Sequence, residues 1–136
     1  MVNSECYIMG KQIDAREIGP NDILRFLLEI IGLIIYGYWG FIQDIFPLNY
    51  VLMIALPVIV AIVWGVFRVP DDPSSSGNAP IVVPGIVRLL LELAIFVCAS
   101  VLLYISGLTL IAIIFMIVVI IHYGFSYQRI TWLLRQ

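Results

Sequence analysis

The chain has 136 residues, of which 62% are hydrophobic and 12% charged, with a mean hydropathy of +1.09 and a formal net charge of −2. That balance excludes a soluble globular domain, because too few polar residues remain to cover a water-facing surface. It also excludes a nucleic-acid binder, since seven Lys and Arg residues scattered along apolar borders make no basic surface.

The polar stretches are too brief to build a separate water-soluble core, so a bilayer domain is expected to be nearly the whole protein. A polar cytoplasmic N-terminal segment, residues 1–22, ends in Pro20-Asn21-Asp22, a helix breaker followed by capping side chains. The first apolar span follows at about 23–42; it is too long for the core of a secretion signal, lacks a small-x-small cleavage site and runs at once into a second span. A short connection at 43–49, containing Pro47, leads to a span at about 50–67 that carries Pro57 inside it. The stretch 69–84, VPDDPSSSGNAPIVVP, has linker composition and is expected to be a mobile cytoplasmic loop. Pro84-Gly85 opens a third span at about 86–105, the Ser106-Gly107 turn closes it, a fourth occupies about 108–125, and residues 128–136 read as a cytoplasmic tail.

At about 1.5 Å per residue, each run is long enough to cross a hydrocarbon core of about 30 Å. The runs are apolar on nearly every face, so helices rather than the alternating strands of a barrel are expected. The predicted fold is an all-α integral membrane protein with four transmembrane helices in two hairpins over residues 23–127. All seven basic residues fall on one side of that topology, which puts both termini and the 69–84 loop in the cytoplasm and Asp44 and the Ser106-Gly107 turn outside.

The two hairpins look like parallel repeats. RFLLEI at 25–30 returns as RLLLEL at 88–93, an offset of 63, and Val63-Trp64-Gly65 matches His122-Tyr123-Gly124 at an offset of 59. In the first span Arg25, Glu29, Gly32, Tyr36, Trp39 and Gln43 recur at steps of three and four and share one helix face. The third span begins with the same face, Arg88 and Glu92, and then turns apolar. His122 lies on a stripe with Thr109, Ala112, Val119 and Ser126, at a comparable distance from the cytoplasmic border.

Charged residues inside a span are costly, so Arg25, Glu29, Arg88, Glu92 and His122 form the candidate ligand or proton site. Their other reading is polar glue between helices. Two-fold pairing would join Arg25 to Glu92 and Arg88 to Glu29, whereas i,i+4 pairing would keep each pair on its own helix. The arginines compete with any metal for the carboxylates, and no HExxH, CxxC or phosphate-cradling glycine loop is present, so neither a metal, a cofactor nor catalysis is expected. Cys6 and Cys98 are separated in membrane depth and should form no disulfide, with Cys98 a small packing residue in a helix interface. Gly32, Gly37, Gly40 and Gly65 suit close helix approach, Pro57 suits a bend, and Trp39, Trp64 and Trp132 with Tyr38, Tyr50 and Tyr123 suit interfacial belts.

The combination LRFLLE at 24–29, GYWG at 37–40, Pro57, WGVFRVP at 64–70 and RLLLELAIF at 88–96 resembles the YrdB family of small prokaryotic membrane proteins. The resemblance implies a four-span protein of uncharacterised role in a prokaryotic plasma membrane; the polar extension over 1–22 departs from the family's usual short start. Two functions of different class remain open. One is a small transporter or permeation module, working as an oligomer, whose cytoplasmic-side Arg/Glu cluster takes a proton or small polar solute. The other is a non-catalytic accessory or assembly subunit that packs against another membrane protein.

Overall fold

The computed structural model describes residues 19–69 and 80–135. Within them the chain forms α1 (Pro20–Phe41), α2 (Leu48–Val66), the short strands β1 (Phe67–Arg68) and β2 (Ile81–Val82), then α3 (Gly85–Ile105), α4 (Thr109–Phe125) and α5 (Tyr127–Leu134). By length and composition α1, α2 and α3 can each cross a membrane, and α4 with α5 makes a fourth candidate span bent by 69°. Among the described residues the architecture is therefore all-helical apart from one two-residue strand pairing.

Local chemistry explains the ends. Pro20 occupies the first turn of α1, where its missing N–H is no loss, and the Gly19 N–H donates to the Asp22 carboxylate at 3.2 Å. At the α3–α4 turn Gly107 adopts φ +82°, and the N–H groups of Gly107 and Leu108 donate back to the carbonyls of Tyr104 and Leu103. A side chain at Gly107 would be strained there, so glycine is what permits this reversal.

The helices form a three-helix core with one outlying helix. Leu28, Ile35 and Tyr36 of α1, Phe96, Ala99 and Leu103 of α3 and Phe115 and Val119 of α4 make its centre. Phe96 is the hub, with ring contacts to Trp64, Phe115 and Tyr123 at centroid distances of 5.4, 6.2 and 6.3 Å. No residue of α2 is fully buried; Leu56, Val60 and Trp64 reach the core only from its edge. This helix lies along α1, which it approaches closely because a Cβ at Gly40 would sit 2.7 Å from the Leu52 carbonyl carbon. At Gly37 the nearest obstacle would be the Met53 carbonyl oxygen at 3.0 Å, with the Pro57 ring beside it. Two of the four glycines singled out for close approach thus seat α2 on α1.

Several expectations need correction. The supposed tail at 128–136 is helical through Leu134 and folds back on the bundle, with Leu133 0% exposed against the start of α3 at Gly85. The expected loop at 69–84 has its two ends fastened, since β1 and β2 pair in parallel through Phe67 with Ile81 and Arg68 with Val82, and Val69 is buried; residues 70–79, like 1–18, lie outside the described residues. Cys98 is exposed, although its thiol lies beside the Tyr36 hydroxyl at the edge of the α1–α3 contact. Trp64 lies partly buried on Phe96, 5.8 Å from the Arg88 guanidinium, and is a core residue more than a belt residue. The hairpins are also packed unequally: α4 buries Ala112, Phe115, Val119 and His122, whereas α2 buries none of its residues.

Candidate functional site

The first turns of α1 and α3, the last turns of α2 and α4, and α5 all meet at one end of the bundle, and one carboxylate, that of Glu92, is buried among them. Glu92 of α3 is 1% exposed. Its Oε1 accepts from Arg25 Nη2 of α1 at 3.1 Å, from Arg88 Nε at 3.1 Å and from Arg129 Nη2 of α5 at 2.9 Å. Its Oε2 accepts from Arg129 Nη1 at 2.9 Å and from the Tyr123 hydroxyl of α4 at 3.3 Å. Arg129 thus grips both oxygens in the forked geometry that only a guanidinium offers.

Arg88 carries the connection to the remaining helix. Its Nη1 donates to the carbonyls of Trp64, at 2.6 Å, and Phe67 at the end of α2. Carbonyls in the last turn of a helix have no partner within it, and a cation there also meets the negative end of the helix dipole. One guanidinium therefore caps α2 while holding Glu92 on α3.

The five candidates separate into different environments. Arg25, Arg88 and Glu92 form the buried cluster. Glu29 binds Arg25 Nε at 3.0 Å through Oε1 and keeps a side chain 27% exposed. His122 is 2% exposed, packs edge-on against Tyr123 at a centroid distance of 5.4 Å, and has no hydrogen-bond partner at Nδ1. It borders the cluster, but the phenol next to it in sequence is the group that reaches Glu92. The start of α1 is tied to the end of α4 by Asn21 Nδ2 donating to Ser126 Oγ at 2.8 Å.

Of the two crossed pairs expected from the repeat, Arg25 with Glu92 is present. Arg88 turns to the carbonyls ending α2 and to Glu92, four residues along its own helix, rather than to Glu29. The local i,i+4 bridge occurs in both hairpins, at 3.0 and 3.1 Å. Farther along α1 the same polar face continues inward, where the Tyr36 hydroxyl donates to the Ile95 carbonyl at 2.9 Å.

The family model for a protein of unknown function, DUF2568, matches residues 23–120, which takes in three of the four apolar runs, most of the fourth, and four of the five candidates. The chain belongs to this family. The uncharacterized protein YrdB of Bacillus subtilis (strain 168) is 47% identical over 116 residues, covering 85% of this chain and 94% of that protein. No solved structure matches the chain.

The family match stops at residue 120, before Tyr123 and Arg129, the two donors that reading the sequence did not place in the site. A signal for Arg129 exists in YQRITWLL: Ile130, Leu133 and Leu134 fall at helical spacing, so 127–134 reads as a short amphipathic helix once it is not treated as tail.

Proposed function

We propose that the protein is a four-span integral membrane protein, with both ends on the cytoplasmic side and two hairpins inserted in the same orientation, that serves as a non-catalytic accessory subunit packing against another membrane protein. The observation that carries this reading is how the polar groups are used. Glu92 engages both oxygens within the chain, and the bundle axis beyond it is filled by Phe96, Ala99, Leu103 and Phe115. A carrier of protons or solutes needs a group that changes partner and a path beside it. Here the charges fasten helices instead, and the least embedded helix, α2, offers its apolar outer face.

Three measurements test this. In a background with Cys6→Ser and Cys98→Ser, the variants Asn3→Cys, Ser75→Cys and Leu134→Cys should label only from the cytoplasmic side and Asp44→Cys only from outside; labelling of position 75 from outside would refute the topology. Photo-reactive residues at Ile54 and Ile62, both exposed on α2, should give a discrete protein adduct in native membranes. Purified protein in vesicles should show no proton or small-anion flux above empty vesicles. Flux that disappears in Glu92→Gln would replace the accessory reading with a permeation one.

A further inference from the structure

Polar side chains also converge where the start of α1 meets the end of α4, beside the Glu92 cluster and outside it. Asn21 Nδ2 donates to Ser126 Oγ at 2.8 Å, which uses one half of the carboxamide. The other half, Oδ1, is buried and accepts no hydrogen bond, and the buried Nδ1 of His122 has no partner either. His122 and Ser126 are 2% and 4% exposed. Because Ser126 Oγ accepts from Asn21, its own hydroxyl hydrogen remains to be donated.

Helical spacing makes these groups neighbours. The Ser126 N–H donates to the His122 carbonyl at 2.9 Å, so the α-helical register holds from one residue to the other. Side chains at that spacing share a face, with Cβ atoms about 5–6 Å apart. The Asn21 carboxamide, held on the Ser126 hydroxyl, therefore lies beside the His122 ring. One small molecule making two hydrogen bonds of about 2.8 Å spans such a gap. A buried acceptor or ring nitrogen left alone forfeits the bonds it made in water, and protein interiors meet that cost with an ordered water where two to four polar groups converge. The chemistry of the set selects against ions. A cation would meet the guanidinium groups of Arg25 and Arg129, which lie close enough to act on the His122 ring, and an anion would meet the Asn21 oxygen. A neutral molecule that both donates and accepts satisfies all three groups.

We propose that this junction is a binding site for one water molecule, which donates to Asn21 Oδ1, accepts from the Ser126 hydroxyl and hydrogen-bonds His122 Nδ1. The site stands apart from the accessory reading and holds whatever the bundle does. Asn21 is the second residue of α1, so water reaches the junction from the end of the bundle without crossing its apolar centre. The bound molecule joins α1, α4 and the bend that leads into α5. Arg25 follows Asn21 by four residues and Arg129 follows Ser126 by three, so the water lies about one turn from two guanidinium groups that reach Glu92 from neighbouring helices. It steadies the segments that aim them.

His122 is the single histidine of the chain, so nitrogen-15 histidine labelling reports on this place alone. In solid-state NMR of the full chain in lipid vesicles, magnetisation selected from water should pass to the Nδ1 signal. That transfer should be retained in Asn21→Asp, which keeps the accepting oxygen, and fall about tenfold or more in Asn21→Leu. In unfolding measurements, the Asn21→Leu and His122→Leu double variant should lose about fivefold less in its folding equilibrium constant than the product of the two single losses, because removing both partners removes the need for the bridge. Absence of transfer in the wild type, or an Nδ1 bonded to another group of the chain, would overturn the proposal, and this measurement decides even if Asn21→Leu does not fold. Transfer unchanged in Asn21→Leu, or single losses that simply multiply, would show that no molecule bridges the two side chains and would overturn it equally.

Discussion

Glu92→Gln should destabilise the protein in detergent by about 3–5 kcal/mol, the cost of removing one member of a buried ion pair. Glutamine keeps the size of the side chain, but it withdraws the charge shared by Arg25, Arg88 and Arg129 and turns an N–H toward one of the donors now bound to Oε1 or Oε2. The penalty is large because those groups have already left water. Glu29→Gln should cost about 1 kcal/mol or less, because its pair with Arg25 is partly exposed and Arg25 retains Glu92. Thermal or denaturant unfolding of the two variants side by side checks the order; equal losses would mean that the cluster is not centred on Glu92. Pairing Glu92→Leu with Arg129→Leu should recover part of what Glu92→Leu loses, since the two groups meet directly.

Gly85→Ala should expel α5. A Cβ at Gly85 would fall on the backbone carbonyl of Leu133, and neither that carbonyl nor the start of α3 can move aside as a flexible side chain would. Displacing α5 takes Leu133 from its fully buried seat, worth about 1.5–3 kcal/mol for a leucine, and draws the Arg129 fork away from both oxygens of Glu92. Amide exchange over 127–134 should therefore accelerate about tenfold to a hundredfold, at 1.4 kcal/mol for each factor of ten. Gly124→Ala is the control: its Cβ would meet nothing within 4 Å, and alanine is the better helix former by about 1 kcal/mol. Protection of α5 unchanged in Gly85→Ala would show that the helix does not rest on α3.

The apolar runs could be read from the sequence because lipid-length hydrophobic segments have few alternative structures, and three of the four appear as single long helices. The Arg25–Glu92 contact was legible through the repeated Arg-x-x-x-Glu spacing. For Arg88 the spacing left crossed and i,i+4 pairing open; the i,i+4 bridge to Glu92 forms, and its guanidinium also reaches main-chain acceptors at the end of α2 that no pattern of side chains reveals. Arg129 was overlooked because eight residues of mixed character look like a tail until the small residue at Gly85 is seen to admit them. The exposure of Cys98 was illegible for another reason: in a helix apolar all round, hydrophobic periodicity no longer tells which side faces the core.

The wiring of Glu92 also sets an order of events during synthesis. Arg25 and Arg88 precede the carboxylate in the chain, Tyr123 follows by 31 residues and Arg129 by 37. A ribosome that has delivered the first three helices has therefore made an acid with only part of its donors, and the junction cannot close until α5 has emerged and folded back under α3. Until then Glu92 has its charge balanced by Arg25 and Arg88, but its Oε2 lacks both of its donors, Tyr123 and Arg129. The last, eight-residue helix thus completes the hydrogen bonding of a carboxylate whose charge was already balanced.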